Sequence, residues 1–295
     1  MSEAPERCAP ASERRSDPLL ATAAPAKRFV LVEQPGAWGR DALRDSRIAP
    51  PILASLRERC HAADARLLLI RRAHRGPATS RAFAVADARP GREAIAWGRF
   101  EDDAALADID VTRLPASPSA SPAFLVCTHG RRDPCCAARG WPVASALSEA
   151  FPTQTWQCSH VGGDRFAANV LALPHGLYYG RVTPAEAAAL AYRHVEGRVT
   201  LPSLRGRSCF PPAVQAAQHF ARITLGVDEI DALPPVGTEH IAADETAVTF
   251  ARAEGVVTVV VRQSESEPIP RPTCGATFAT PMREWDLVEL SAGHT

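Results

Sequence analysis

The stretch Cys127-Thr128-His129-Gly130-Arg131-Arg132-Asp133-Pro134-Cys135-Cys136, followed by Cys158-Ser159-His160-Val161-Gly162-Gly163-Asp164-Arg165-Phe166, decides how this chain folds and where its chemistry sits. Just before it, Ala123-Phe124-Leu125-Val126 is a short apolar run that reads as a buried strand, and it runs straight into Cys127. Cys135 and Cys136 are then expected in the loop after that strand, where cysteines can fold round a metal without straining a regular element. Cys127 and Cys136 are nine positions apart, so chain bending can bring both sulfurs to one centre. Thr153 to His160 alternates and contains Trp156, as a strand does. Residues two apart on a strand face the same side, so Cys158 and His160 project together if the strand persists that far. Gly162-Gly163 lets the backbone turn tightly or approach a cofactor closely, and Asp164 could then fold back toward His160.

Working outward, Ala137 to Phe151 reads as a helix, and Phe166 to Leu173 with Leu177 to Val182 as a hairpin around Pro174-His175-Gly176. Thr183 then starts a helix, with Pro184 at its first position and Glu186 completing a capping box. The order β-α-β-β-α matches the second half of a thioredoxin fold. Upstream, Phe29 to Glu33 and Arg66 to Arg71 read as strands, Asp41 to Cys60 has helical spacing interrupted by Pro50-Pro51, and Arg81 to Ala88 pairs with Glu93 to Phe100. Downstream, Pro212 to Leu225 reads as a helix, and Ala247 to Ala251, Val256 to Arg262 and Asp286 to Leu290 as strands. The expected fold is α/β, a mixed sheet with flanking helices. The expected domains are a disordered leader at 1–27, an N-terminal α/β segment at 28–120, a thioredoxin-like segment at 121–200 and a C-terminal α/β segment at 201–295. The Pro/Ser/Ala-rich run from Leu114 to Pro122 is the expected linker. The N-terminal segment is a candidate degenerate second thioredoxin-like unit.

Charge and cysteine usage narrow the function. The 295 residues carry 33 basic and 33 acidic side chains, a balance that gives no reason to expect a nucleic-acid partner or an acidic membrane surface. No apolar run approaches the ~20 residues that span a bilayer. Residues 1–27 are rich in Ala, Pro, Ser, Glu and Arg and lack the apolar core of a secretory signal, so a soluble cytoplasmic protein is expected. In that compartment a disulfide framework is not expected for the eight cysteines. Four of them fall between Cys127 and Cys158, which points to a metal or redox site. Thiolates suit zinc and iron–sulfur clusters, and imidazole suits zinc and iron. The spacing follows no standard zinc-finger pattern. Cys8 reads as a tail residue without a role, Cys60 as a small core hydrophobe, and His129, His175 and His194 as surface or capping residues.

The two central motifs together resemble the sucrase/ferredoxin-like family. Leu177-Tyr178-Tyr179-Gly180-Arg181-Val182, Arg205-Gly206-Arg207-Ser208-Cys209, Val32 to Arg40 and Thr273-Cys274-Gly275 extend the resemblance across most of Phe29 to Leu290. It implies a thioredoxin-like ferredoxin with a [2Fe-2S] cluster, which fungal relatives hold with two cysteines and two histidines. The cysteines match Cys127 and Cys136. Of the His-x-x-x-His pair, the first matches His160, but the second position here is Asp164. The expected ligands are therefore Cys127, Cys136, His160 and, as the substitute on the same strand, Cys158, with Asp164 and Cys135 as alternatives.

Arg131, Arg132, Asp133, Gly162, Gly163 and Arg165 are the expected cofactor-side residues. The arginines would stabilise cluster charge or form a docking surface, and Asp133 would fix the loop by accepting backbone N–H groups. The function expected is electron transfer between a reductase and an acceptor protein not identified by the sequence. A cluster-free thiol redox protein and a structural zinc module remain as rivals. No carboxylate pair suited to glycoside hydrolysis stands out, so sucrose cleavage is not carried over.

Overall fold

The computed structural model describes residues 6–72, 80–114, 118–119 and 121–293. Positions 1–5 of the expected leader, and 115–117 and 120 of the expected linker, lie outside them. The described chain opens with helix α1 (Cys8–Arg15), whose Cys8, Ala9, Ala11 and Ser12 are buried. This corrects the expectation of a disordered leader for these residues. Low hydrophobicity concealed how small they are, and small side chains let a helix pack closely on what lies beneath. Residues 22–26 are also tied down, since Thr22 N–H donates to the Arg205 carbonyl at 3.0 Å and Ala26 N–H to that of Ser208 at 2.9 Å.

Two successive units of like topology follow. In the first, β1 (Arg28–Glu33) and β2 (Ala65–Arg71) run parallel, joined through helix α2 (Pro50–Ala62). Strand β3 (Arg81–Asp87) returns antiparallel to β1, and β4 (Ala94–Phe100) pairs outside it. The prolines expected to interrupt a helix from Asp41 instead start one, at its first two positions, where the missing N–H costs nothing. In the second unit, β5 (Ala123–Cys127) and β6 (Thr155–Cys158) run parallel through α3 (Pro134–Ala150). Strand β7 (Val170–Leu173) is antiparallel to β5 and forms a hairpin with β8 (Leu177–Tyr179), and α4 (Pro184–Val195) follows under the Thr183/Glu186 capping box. Strand β9 (Leu204–Arg207) closes the edge.

The units join into one nine-stranded sheet of order β4-β3-β1-β2-β6-β5-β7-β8-β9. Their seam is the short antiparallel pairing of Ile70 with Cys158 and Arg71 with Gln157. Strands β5, β6 and β7 are buried along their full length, which is why β5 and β7 read as continuous apolar runs rather than alternating ones. The mixed α/β, thioredoxin-like arrangement is thus present, and the N-terminal unit repeats its strand order.

The remaining chain makes helix α5 (Pro212–Leu225) and a separate antiparallel sheet of β10 (Pro235–His240), β11 (Glu245–Arg252), β12 (Gly255–Glu265) and β13 (Arg283–Gly293). Val248 and Phe250 of β11 with Val257, Val259 and Val261 of β12 alternate inward at the strand period and pack with Val214, Ala217 and Ala221 of α5. Among the described residues, no helix is long and apolar enough to cross a membrane.

Candidate metal centre

Strand β5 delivers Cys127 to the end of the sheet, and its N–H is fixed by the Asn169 carbonyl at 3.0 Å. The chain then turns tightly, with the N–H groups of Arg132 and Asp133 both donating to the His129 carbonyl at 3.1 and 3.2 Å. Asp133 caps α3, its Oδ1 accepting the Cys135 N–H at 2.8 Å, and Pro134 takes the first helical position. Cys135 and Cys136 therefore lie in the first helical turn and not in the loop where they were expected. The cap and the proline start the helix three residues before its apolar pattern is legible.

The second arm is shorter than expected. Strand β6 stops at Cys158, and Ser159 is captured by β2, its N–H donating to the Leu69 carbonyl at 2.8 Å and its Oγ accepting the Leu69 N–H at 3.0 Å. Beyond it, Gly162 (φ 89°) and Gly163 (φ 76°) take left-handed conformations that swing the chain into a 3-10 turn at Asp164–Phe166. Arg66 holds the His160 carbonyl at 3.0 Å, and the buried Arg205 donates to the Gly162 carbonyl at 2.9 Å and to Asn169 Oδ1 at 2.7 Å. Neither arginine was singled out as a support of this loop, because nothing in their local sequence reports a partner more than thirty residues away.

The result is a buried group. Donor atoms of Cys127, Cys136 and His160 all lie within 4.8 Å of one another. Asp164 closes the set: its Oδ1 accepts from Cys136 Sγ at 3.3 Å and lies 3.0 Å from His160 Nδ1. That approach is off the N–H line, so His160 Nδ1 is buried without an aligned hydrogen-bond partner. Hydrogen bonding from Cys136, and less from His160, holds the Cys127 thiol well below its ordinary pKa against the opposing effect of burial. The Cys136 thiol is pushed up, first by that same neighbour and then by burial. Burial works against a charged His160, yet Asp164 and Cys127 beside it carry its pKa up to about 9. Burial likewise opposes a charged Asp164, and His160 brings its carboxyl below the ordinary value. Once His160 gives up its proton, two sulfurs and an imidazole nitrogen form a donor set suited to zinc or iron, with the harder Asp164 carboxylate beside them.

The other expected residues are placed differently. Cys158 pairs in register with Cys127 one strand over and shares an apolar layer with Cys127 and Cys136, but its sulfur is not among the converging donors. Burial pushes its thiol well up. Because β6 ends there, His160 does not continue the strand alternation, and the geometry that paired Cys158 with His160 does not arise. Arg165 turns to Asp17 at 3.5 Å and lies over the Phe166 ring at 4.2 Å, so it neither faces the donors nor docks. The space beside Gly163 is taken by the Arg205 guanidinium, 2.5 Å from where a Cβ would be, which leaves that glycine a turn role and not a cofactor contact. Arg131 and Arg132 are exposed on the loop. Cys135 and Asp133 belong to a second buried group with Cys8 and Cys274, which corrects the reading of Cys8 as an idle tail residue. His129 and His194 are buried, with His129 Nε2 2.6 Å from the Gly39 carbonyl and His194 Nε2 3.2 Å from His175 Nδ1.

Comparison with known proteins agrees with the sequence resemblance. A family model described as sucrase/ferredoxin-like matches residues 19–206. No curated protein sequence matches the chain. Two crystal structures of single Cys-to-Ser variants of the thioredoxin-like [2Fe-2S] ferredoxin from Aquifex aeolicus match 28% of this chain and 97% of theirs, at 17% identity and a TM-score of 0.26.

Proposed function

This chain belongs to the sucrase/ferredoxin-like family, and on that footing we propose that it is an electron-transfer protein holding a [2Fe-2S] cluster through Cys127, Cys136, His160 and Asp164. The observation that carries the proposal is the convergence of the first three donors within 4.8 Å from two arms of the chain more than twenty residues apart, with Asp164 against two of them. The His160 imidazole supports it, because Nδ1 is buried against the Asp164 carboxylate at 3.0 Å without an aligned hydrogen bond to it, which suits a nitrogen that ligates. Cys158, the substitute first expected, gives way to Asp164 as fourth ligand. When bound, the cluster would supply one-electron chemistry, at a potential raised by imidazole relative to an all-cysteine set.

The chain's own residues bind, orient and insulate. Cys127 is set to ligate as a thiolate, and Cys136 is presented by the first turn of α3, whose N-terminus favours negative charge. Arg66, Arg205 and Asn169 hold the His160–Asp164 turn in place, and the apolar layer of the sheet excludes water beneath it. Arg131 and Arg132 stand exposed beside the ligands and would meet an acidic face on a reductase or acceptor protein.

Anaerobic purification of the full chain with iron and acid-labile sulfide analysis tests the reading. A coloured protein with stoichiometric iron and sulfide, bleached in Cys127→Ser and Cys136→Ser, is the expected result. Freshly isolated protein with neither iron nor sulfide ends it. One rival has an observation of its own: the lowered Cys127 pKa beside Cys136 would also suit a cluster-free thiol pair. That protein would be colourless and would form a reversible Cys127–Cys136 disulfide.

A further inference from the structure

The second cysteine group is not used by the electron-transfer reading. Cys8 in α1, Cys135 in the first turn of α3 and Cys274 in the segment between β12 and β13 meet at one point with the Asp133 carboxylate. Cys274 Sγ lies 3.5 Å from Cys135 Sγ and 3.5 Å from Cys8 Sγ. Cys8 Sγ lies 3.7 and 3.6 Å from the two Asp133 oxygens. The backbone is locked around the same point: Asp133 accepts the N–H groups of Cys135 and Cys274, both at 2.8 Å, and Cys8 N–H points at Cys274 Sγ at 3.4 Å. The small side chains Ala9 and Ala167 pack against them.

Thiols alone give weak reason for this assembly. An S–H is a poor hydrogen-bond donor, and three of them offset little of the entropy of drawing together residues 8, 135 and 274. A disulfide would join two sulfurs and leave the third, and the 3.5 Å separations are far beyond a bond of about 2.05 Å. A tetrahedral metal uses all four donors at once. With metal–sulfur bonds of about 2.3 Å, two sulfurs on one zinc lie about 3.8 Å apart, within a small movement of the separations here. Three sulfurs and one oxygen match a closed structural zinc site, with Asp133 already oriented by its two N–H donors.

We propose that Cys8, Cys135, Cys274 and Asp133 form a second metal site, separate from the Cys127/Cys136/His160 centre, that takes a thiophilic divalent cation of the zinc class. The three cysteines bind as thiolates, each thiol proton still present leaving to solvent, and no electron is transferred. The ion fastens the N-terminal helix and the C-terminal segment to the start of α3, one residue from Cys136.

Metal analysis of the full chain, purified without chelator, tests this independently of iron at the first centre. About one zinc per chain is expected, lost in Cys274→Ser and in Cys8→Ser and retained in Cys127→Ser. Because a serine variant could lose metal by unfolding, zinc-stripped wild-type protein is also titrated with Co2+. Thiolate charge-transfer absorption and the visible bands of a tetrahedral site are expected, together with far-ultraviolet circular dichroism unchanged in Cys274→Ser. The proposal is overturned if wild-type and Cys274→Ser proteins take up zinc and cobalt equally, or neither does. It is also overturned if zinc leaves with Cys127→Ser and stays with Cys274→Ser, or if fresh protein carries a disulfide among Cys8, Cys135 and Cys274. Iron without zinc defeats this site and leaves the electron-transfer reading standing; zinc without iron does the reverse.

Discussion

Gly140 lies so close beneath Cys127 that a β-carbon added to it would come inside 3.0 Å of the Cys127 carbonyl oxygen. Helix α3 therefore rests on the end of β5 at the one point where it carries no side chain, and this contact sets how near Cys136 comes to Cys127. In an exposed helix, Gly→Ala gains up to about 1 kcal/mol. Here Gly140→Ala is expected to have the opposite sign and cost about 1–3 kcal/mol, because backbone must move to admit the methyl group. Urea unfolding of the metal-free chain measures the sign, and, on the proposed cluster reading, iron content of the purified variant measures whether the two thiols still meet.

For the proposed cluster, the identity of the fourth ligand separates two readings of the site. Asp164 touches Cys136 and His160, whereas Cys158 stands outside the group formed by Cys127, Cys136 and His160. Asp164→Ala is expected to lower cluster retention by at least ~10-fold, a loss typical even of residues that only support a ligand. Cys158→Ala is expected to leave the visible spectrum in place. The reverse pattern of bleaching would restore Cys158 to the ligand set.

Acid stability should report His194. Burial, with smaller contributions from His175 and Arg207, depresses its pKa to about 3, so the folded chain keeps it neutral while the unfolded chain protonates it near its ordinary value. The unfolded state then binds the extra proton, and stability present above about pH 6.5 is lost at up to ~1.4 kcal/mol per unit as pH falls toward 3. His194→Gln should flatten this part of the pH dependence. Denaturant midpoints of both proteins across pH 4–8 check it, and parallel curves would refute it.

Arg205 is 2% exposed and fastens three pieces of chain. It donates to the Thr22 carbonyl at 2.6 Å and Thr22 Oγ1 at 3.0 Å, besides Gly162 and Asn169. Arg205→Met fills much of the volume but leaves these acceptors unpaired, at an expected cost of about 3 kcal/mol or more. Hydrogen exchange should show the largest loss of protection at residues 19–26 and 160–169, ahead of the C-terminal sheet.

Much of this was legible in the chain. The apolar runs at β1, β2 and β5 and the capping box at Thr183 are local signals, and each element forms where its signal stands. Pro212–Leu225 is helical over its whole expected length. The paired motifs at 127–136 and 159–169 carry the family, and the donors Cys127, Cys136 and His160 can be named from them. The signals failed where length or position depended on something distant. Strand β6 ends at Cys158 because β2 captures Ser159, and nothing near residue 158 announces that.

Sequence alone determined which residue types could bind a metal and which segments would be strand or helix, because hydrophobic period and caps act over a few neighbouring positions. Only the tertiary structure decided which donors meet. Cys8 and Cys274 are separated by 266 positions and look incidental in the chain, yet they share one buried point with Cys135. Cys158 looks apt, yet its sulfur does not join the group formed by Cys127, Cys136 and His160. Convergence of that kind is set by strand order, by where a strand stops and by the sheet seam between β2 and β6, and these are properties of the packed whole.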